Sequence, residues 1–136
     1  MEHTLTLPLI SGYTAALLGT MQVALMMTVG FARRTAEVSL GDGGNDVLHH
    51  KIRRHGNLAE NAPIFLILLG LLEITGGQQN IVLGLAVVFV MARLSHAYAL
   101  SGPGKPVVAR AMGAMGTLIG VAGTAGALVW QLSMVQ

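Results

Sequence analysis

No cysteine occurs anywhere in the 136 residues of this chain. That excludes disulfides, a protein thiolate nucleophile and zinc–thiolate sites, so any thiol chemistry must use a thiol carried in by a ligand. Charge is scarce too: 10% of residues are Asp, Glu, Lys or Arg, against about 25% in a typical soluble domain. What the chain has instead is hydrocarbon, with 53% hydrophobic residues and a mean hydropathy of +0.66. These proportions describe an integral membrane protein of one domain spanning residues 1–136. A pI of about 9.5 would suit nucleic acid, but the cations are few and sit at the ends of apolar segments. They set topology, and no nucleic-acid partner is expected. The N-terminal residues Met-Glu-His-Thr-Leu-Thr lack the positive region of a cleavable signal, so the first apolar segment is expected to stay in the protein.

Four apolar segments are legible, over about residues 9–32, 46–75, 81–100 and 107–134. Each is long enough to cross a hydrocarbon core of about 30 Å at 1.5 Å per residue. The fold class they predict is all-α: a four-helix transmembrane bundle in contact with membrane lipid. The first segment holds one strongly polar interior residue, Gln22, and stops at Arg33-Arg34, a cluster that can also be read as a stop-transfer anchor. Gly41-Asp-Gly-Gly44 reads as a turn, with Asn45 or Asp46 as an N-cap for the second segment. That segment overshoots the hydrocarbon, and Pro63 should bend it. Ser101 to Pro106 breaks the chain before a fourth segment rich in glycine, where Gly116 and Gly120 form a GxxxG pair suited to close helix packing. All eight lysines and arginines fall at one end of this up-and-down arrangement. The positive-inside rule then makes the first and third loops cytoplasmic.

The chain is organised around Lys51-Ile-Arg-Arg-His-Gly-Asn-Leu-Ala-Glu-Asn-Ala-Pro63, a helix start crowded with cations that runs directly into hydrocarbon. Arg53, Asn57 and Glu60 stand at i, i+4 and i+7 and so share one face. Ionisable groups at membrane depth are functional candidates, which adds Arg93 and His96 of the third segment. Structural readings remain open for both: Arg93 snorkelling to the surface or pairing with Glu60, and His96 in an interhelical hydrogen bond. Glu73, near the opposite interface, is expected to be solvated. His49, His50 and His55 lie close together, but no recognised metal-ligand spacing connects them, and no metal site is expected. The set of planar cation, amide and carboxylate suits a small dicarboxylate that carries an ammonium group, because arginine forks bind carboxylates in a bidentate way.

At these residues the sequence resembles the MAPEG superfamily, the membrane-associated proteins in eicosanoid and glutathione metabolism, which includes microsomal glutathione transferases. The resemblance runs through Ala32-Arg-Arg34, Arg53-x-x-x-Asn57-x-x-Glu60 with Pro63-x-Phe65-Leu66, and Ala92-Arg-Leu-x-His96. It implies a homotrimer, with glutathione as co-substrate bound between neighbouring subunits on the cytosolic side of a bacterial inner membrane. It also implies that Arg33, Arg53, His55, Asn57, Glu60 and Arg93 bind glutathione. His96 stands where some members have tyrosine, and Arg110 best matches the arginine that stabilises the thiolate, which makes these two the catalytic candidates. Asn61 and Leu100 replace tyrosines of the eicosanoid enzymes, and the third loop differs from theirs. The resemblance is therefore to a prokaryotic-type member, and it implies no eicosanoid substrate.

The implied reaction adds the glutathione thiolate to a hydrophobic small-molecule electrophile, or reduces a hydroperoxide. A free thiol has a pKa of about 8.5. Lowering it by about two units needs roughly 2.7 kcal/mol, which is about what one or two charge-assisted hydrogen bonds supply. Arg110 assisted by His96 could provide them. Two other classes stay open. One is a small four-span transporter, although such exporters carry their carboxylate in the first span, where this chain has Gln22. The other is a non-catalytic protein that keeps the fold without the chemistry.

Overall fold

A chain crossing hydrocarbon must satisfy its backbone hydrogen bonds internally, and a long apolar run does so by coiling into a helix. The computed structural model, which describes residues 7–102 and 104–134, contains α1 (Leu9–Ala36), α2 (Asp46–Ile74), α3 (Gln79–Ala99) and α4 (Val107–Met134). All four are long and apolar enough to cross a membrane, and among the described residues there is no strand. The architecture is an all-α four-helix membrane bundle. The expectation about a leader falls on residues 1–6, which, with Pro103 of the third loop, lie outside the described residues.

The apolar pattern of α1 ends near Ala32, but the helix runs one turn further. Arg33 and Arg34 occupy its last turn, where cations are favoured by the helix dipole. Glu37 then turns left-handed at φ 54, and the Val38 N–H reaches the Arg33 carbonyl at 3.1 Å to close the helix end. In the first loop Gly43 has φ +60, and a Cβ there would stand 2.7 Å from Val38 Cγ2. Asn45 caps α2 by accepting the Leu48 N–H at 3.0 Å. From this cap α2 is continuous through Pro63.

α2 and α3 form the centre of the bundle. Each touches all three other helices, while α1 and α4 do not meet among the described residues. Phe65 of α2 and Phe89 of α3, both fully buried, stack with centroids 3.8 Å apart and planes 4° from parallel. The glycine face of α4 packs on α3: Gly113 against His96, Gly116 against Ala92 and Gly120 against Phe89. A Cβ on Gly113 would come within 2.7 Å of His96 Cβ, so the two backbones meet only because that position has no side chain. The alternating directions gather the lysines and arginines where α1 and α3 end and α2 and α4 begin.

At the opposite end the structure corrects the expectation for Glu73. It is 4% exposed and so shielded from water. Its Oε1 accepts the Ile10 N–H at 2.9 Å. Oε2 accepts the Ser11 N–H at 2.7 Å and the Ser11 hydroxyl at 2.5 Å. The first N–H groups of a helix lack partners within it, and they form the positive end of its dipole. Pro8 gives α1 no side-chain cap of its own, so a carboxylate at the end of α2 supplies it.

Candidate functional site

The charged face of α2 splits into two layers. Arg53 Nη1 lies 3.8 Å from Glu60 Oε1, with side chains 51% and 58% exposed. An ion pair that open contributes about 0–1 kcal/mol, so little resists its rearrangement around a ligand. Asn57, between them on the same face, is half-buried and points into the bundle. Its Oδ1 accepts from Arg93 Nη1 at 2.5 Å. Arg93 Nη2 donates in turn to the Gly113 carbonyl at 3.0 Å.

Arg93 therefore ties α2, α3 and α4 together through neutral acceptors. It is 3% exposed, its guanidinium lies 5.5 Å from the Phe89 ring centroid, and its Nε is buried without a hydrogen-bond partner. Of the two structural readings of Arg93, the pairing with Glu60 does not form. No carboxylate makes an ion pair with it among the described residues. A buried cation without a counter-charge creates a positive potential that favours an anion nearby.

His96 follows Arg93 by one turn and is buried against the backbone of α4 at Gly113. Arg53, Arg93 and Arg110 are all close enough for their charges to act on it. Arg110 is exposed in the first turn of α4, three residues before Gly113 and so on the same side of the helix. Ser95 fixes that register by donating to the Ala109 carbonyl at 2.8 Å. Arg53, Asn57, Glu60, Arg93, His96 and Arg110 thus converge at one end of α2, α3 and α4.

Arg33 and His55 do not join this group within one chain. Arg33 Nη1 donates to the Gly41 carbonyl at 2.7 Å and so ties the last turn of α1 to the first loop. His55 lies on the opposite side of α2 from Arg53, with its Nε2 2.8 Å from Gln22 Nε2 of α1. His49 is engaged in the loop as well, its Nδ1 2.6 Å from Asp42 Oδ2. The Gly44 N–H, donating to the other Asp42 oxygen at 3.0 Å, and then this histidine hold the Asp42 carboxyl below its ordinary range. Two contributors to the site were not anticipated from sequence. Ser95 carried no signal. Gly113 was visible only as one glycine of the α4 stripe, not as the acceptor for Arg93.

Residues 11–130 match the family model described as the MAPEG family. The chain belongs to the MAPEG family. Two bacterial relatives accompany this MAPEG protein: the inner membrane protein YecN of Escherichia coli strain K12 and its counterpart in Escherichia coli O6:H1 strain CFT073. Each is 33% identical over 88 residues, covering 62% of this chain and 67% of the relative. No solved structure matches it.

Proposed function

We propose that this protein binds glutathione at the charged end of the bundle and uses it against a hydrophobic electrophile or hydroperoxide dissolved in the membrane. The observation that carries this reading is the convergence of Arg53, Asn57 and Glu60 with a buried, uncompensated Arg93, beside His96 and Arg110. Glutathione presents two carboxylates, one ammonium and a thiol. The Arg53 fork takes a carboxylate and Glu60 takes the ammonium. Asn57, whose Oδ1 is held by Arg93, keeps Nδ2 for a peptide carbonyl. Arg110 and His96 stabilise the thiolate. Its proton passes to water, and sulfur forms a bond to carbon as the electrophile takes up or expels its electron pair. With a hydroperoxide, two glutathione molecules are oxidised to the disulfide while the substrate becomes an alcohol and water.

A single chain leaves the Arg53–Glu60 side open to the exterior. In this reading a homotrimer closes it, and Arg33 and His55 of a neighbouring copy complete the pocket. The relative YecN is by name an inner membrane protein. This chain is assigned to the same membrane, with the first and third loops facing the cytosol.

Calorimetry of glutathione against the detergent-purified protein tests the reading. Saturable binding that Arg53→Ala removes is expected, and no binding at millimolar glutathione would overturn it. A chromogenic electrophile such as 1-chloro-2,4-dinitrobenzene tests the roles: Arg110→Ala should leave glutathione binding in place and slow conjugation by about 10- to 100-fold, at 1.36 kcal/mol per tenfold.

A further inference from the structure

At the charged end of the bundle, α1 and α2 carry three cations that the glutathione reading does not use. Arg54 Nη2 donates to the neutral Thr28 hydroxyl at 3.3 Å. Among the described residues no carboxylate pairs with Arg34, Lys51 or Arg54. Two grooves open beside them. One, of about 270 Å³, runs between the end of α1 and the start of α2, past Phe31, Ala32, Thr35, Val47 and Lys51. The other, of about 370 Å³, follows α1 past Met27, Gly30, Phe31 and Arg34. Phe31, 62% exposed, is the ridge between them. Gly30 leaves the second groove open, since a Cβ there would meet nothing within 4 Å.

This flank is not the one that the homotrimer gives to a neighbouring copy. Successive helical residues turn by about 100°, so Phe31 and Arg33 stand on nearly opposite sides of α1. His55 reaches Gln22, whereas Arg54 reaches Thr28, six residues on and so about 120° round the helix. Thr28 and Thr35, seven residues apart, share a face, which puts Arg54 on the side of the Lys51 groove.

The walls select the occupant. Each groove is mostly hydrocarbon with a cation in its wall, and a membrane lipid presents the matching order of acyl chain and then phosphate. No aspartate or glutamate lines either groove, so nothing receives the ammonium of a zwitterionic head. A head whose only charge is its phosphate meets cations alone. Two grooves divided by one ring suit the two chains of a glycerophospholipid.

We propose that this corner of the bundle is a binding site for an anionic glycerophospholipid of the phosphatidylglycerol type. Its phosphate is held by Lys51 and Arg34 within the field of Arg54, and its acyl chains lie on either side of Phe31.

The probes are phosphatidylglycerol and phosphatidylethanolamine carrying the same diazirine-bearing acyl chain, each at trace level in phosphatidylcholine nanodiscs that hold the full protein. Photolysis followed by peptide mass spectrometry reads the label over residues 27–36 and 45–51. A cation near an anionic lipid head is worth about fivefold in affinity, so the phosphatidylglycerol probe should mark these residues roughly 25-fold more than the ethanolamine probe. Lys51→Gln and Arg34→Gln should each lower that preference about fivefold, and together should remove it, while Lys51→Arg keeps it. Lys105→Gln takes a cation from the same end of the bundle, where it lies over Tyr98, and should leave the labelling unchanged. Equal labelling by the two lipids, a preference that survives the double variant, or an equal loss in Lys105→Gln, the mark of a basic surface without a site, would each overturn the proposal.

Discussion

Glu73 and Arg93 are both charged and buried, yet their environments are opposite. Glu73 faces the positive end of α1 and three donor groups from Ile10 and Ser11. Arg93 has the neutral Asn57 side chain and the Gly113 carbonyl. The carboxylate is thus compensated in place, while the guanidinium leaves charge unspent at the end where ligand binding is proposed. Glu73→Gln keeps the shape but removes the charge from these bonds. It should lower stability by about 1.5–3 kcal/mol, read as an earlier midpoint of denaturation in mixed detergent, and glutathione binding should survive in the folded fraction. Neither partner could be read from sequence. A shared depth in the membrane suggested that Arg93 could pair with Glu60, but the packing of α3 on α2 set it beside Asn57. For Glu73, depth along α2 was legible, whereas the arrival of an uncapped α1 start depended on how the two helices pair. Asp42 allows a pH test outside the membrane. Its carboxyl is held low by the Gly44 N–H first and His49 second, so the loop bond is present above the ordinary carboxylate pKa and is lost as pH falls through the lower folded value. The Gly44 amide resonance should therefore shift as pH falls below about 4, and Asp42→Asn should remove that acid-range shift.

For the helices themselves, hydropathy and length were sufficient, because the membrane leaves a long apolar run few alternatives. The glycine stripe of α4 announced a packing face. Its partner could not be read from sequence, since nothing in α4 says whether Gly113 meets α1, α2 or α3. The answer, His96 and its backbone, makes the stripe part of the site's construction, as Gly113 also accepts from Arg93. Gly113→Val should force α3 and α4 apart, cost about 1–3 kcal/mol by overpacking and weaken glutathione binding with it. Gly126→Ala is the control, because its Cβ would meet nothing within 4 Å. Thermal unfolding of the two variants side by side separates a contact position from an ordinary helix glycine.

Across the whole molecule, the cations lie at one end, and the absence of native cysteine makes their orientation directly measurable. Single substitutions Ser39→Cys in the first loop and Gln78→Cys in the second can be challenged in intact cells with a membrane-impermeant maleimide. The proposed orientation expects Gln78→Cys to react from outside the inner membrane, and Ser39→Cys only after the cells are opened. The Glu73 clamp also bears on how the chain is made. It joins Ile10 and Ser11 to a residue just before the turn at Gly76 and Gly77, so both halves lie within the first hairpin. Once synthesis has passed that turn the clamp has everything it needs, and α1 and α2 can lock together in the bilayer before α3 leaves the ribosome. The nascent protein need not hold a bare carboxylate against lipid while it waits for its second half.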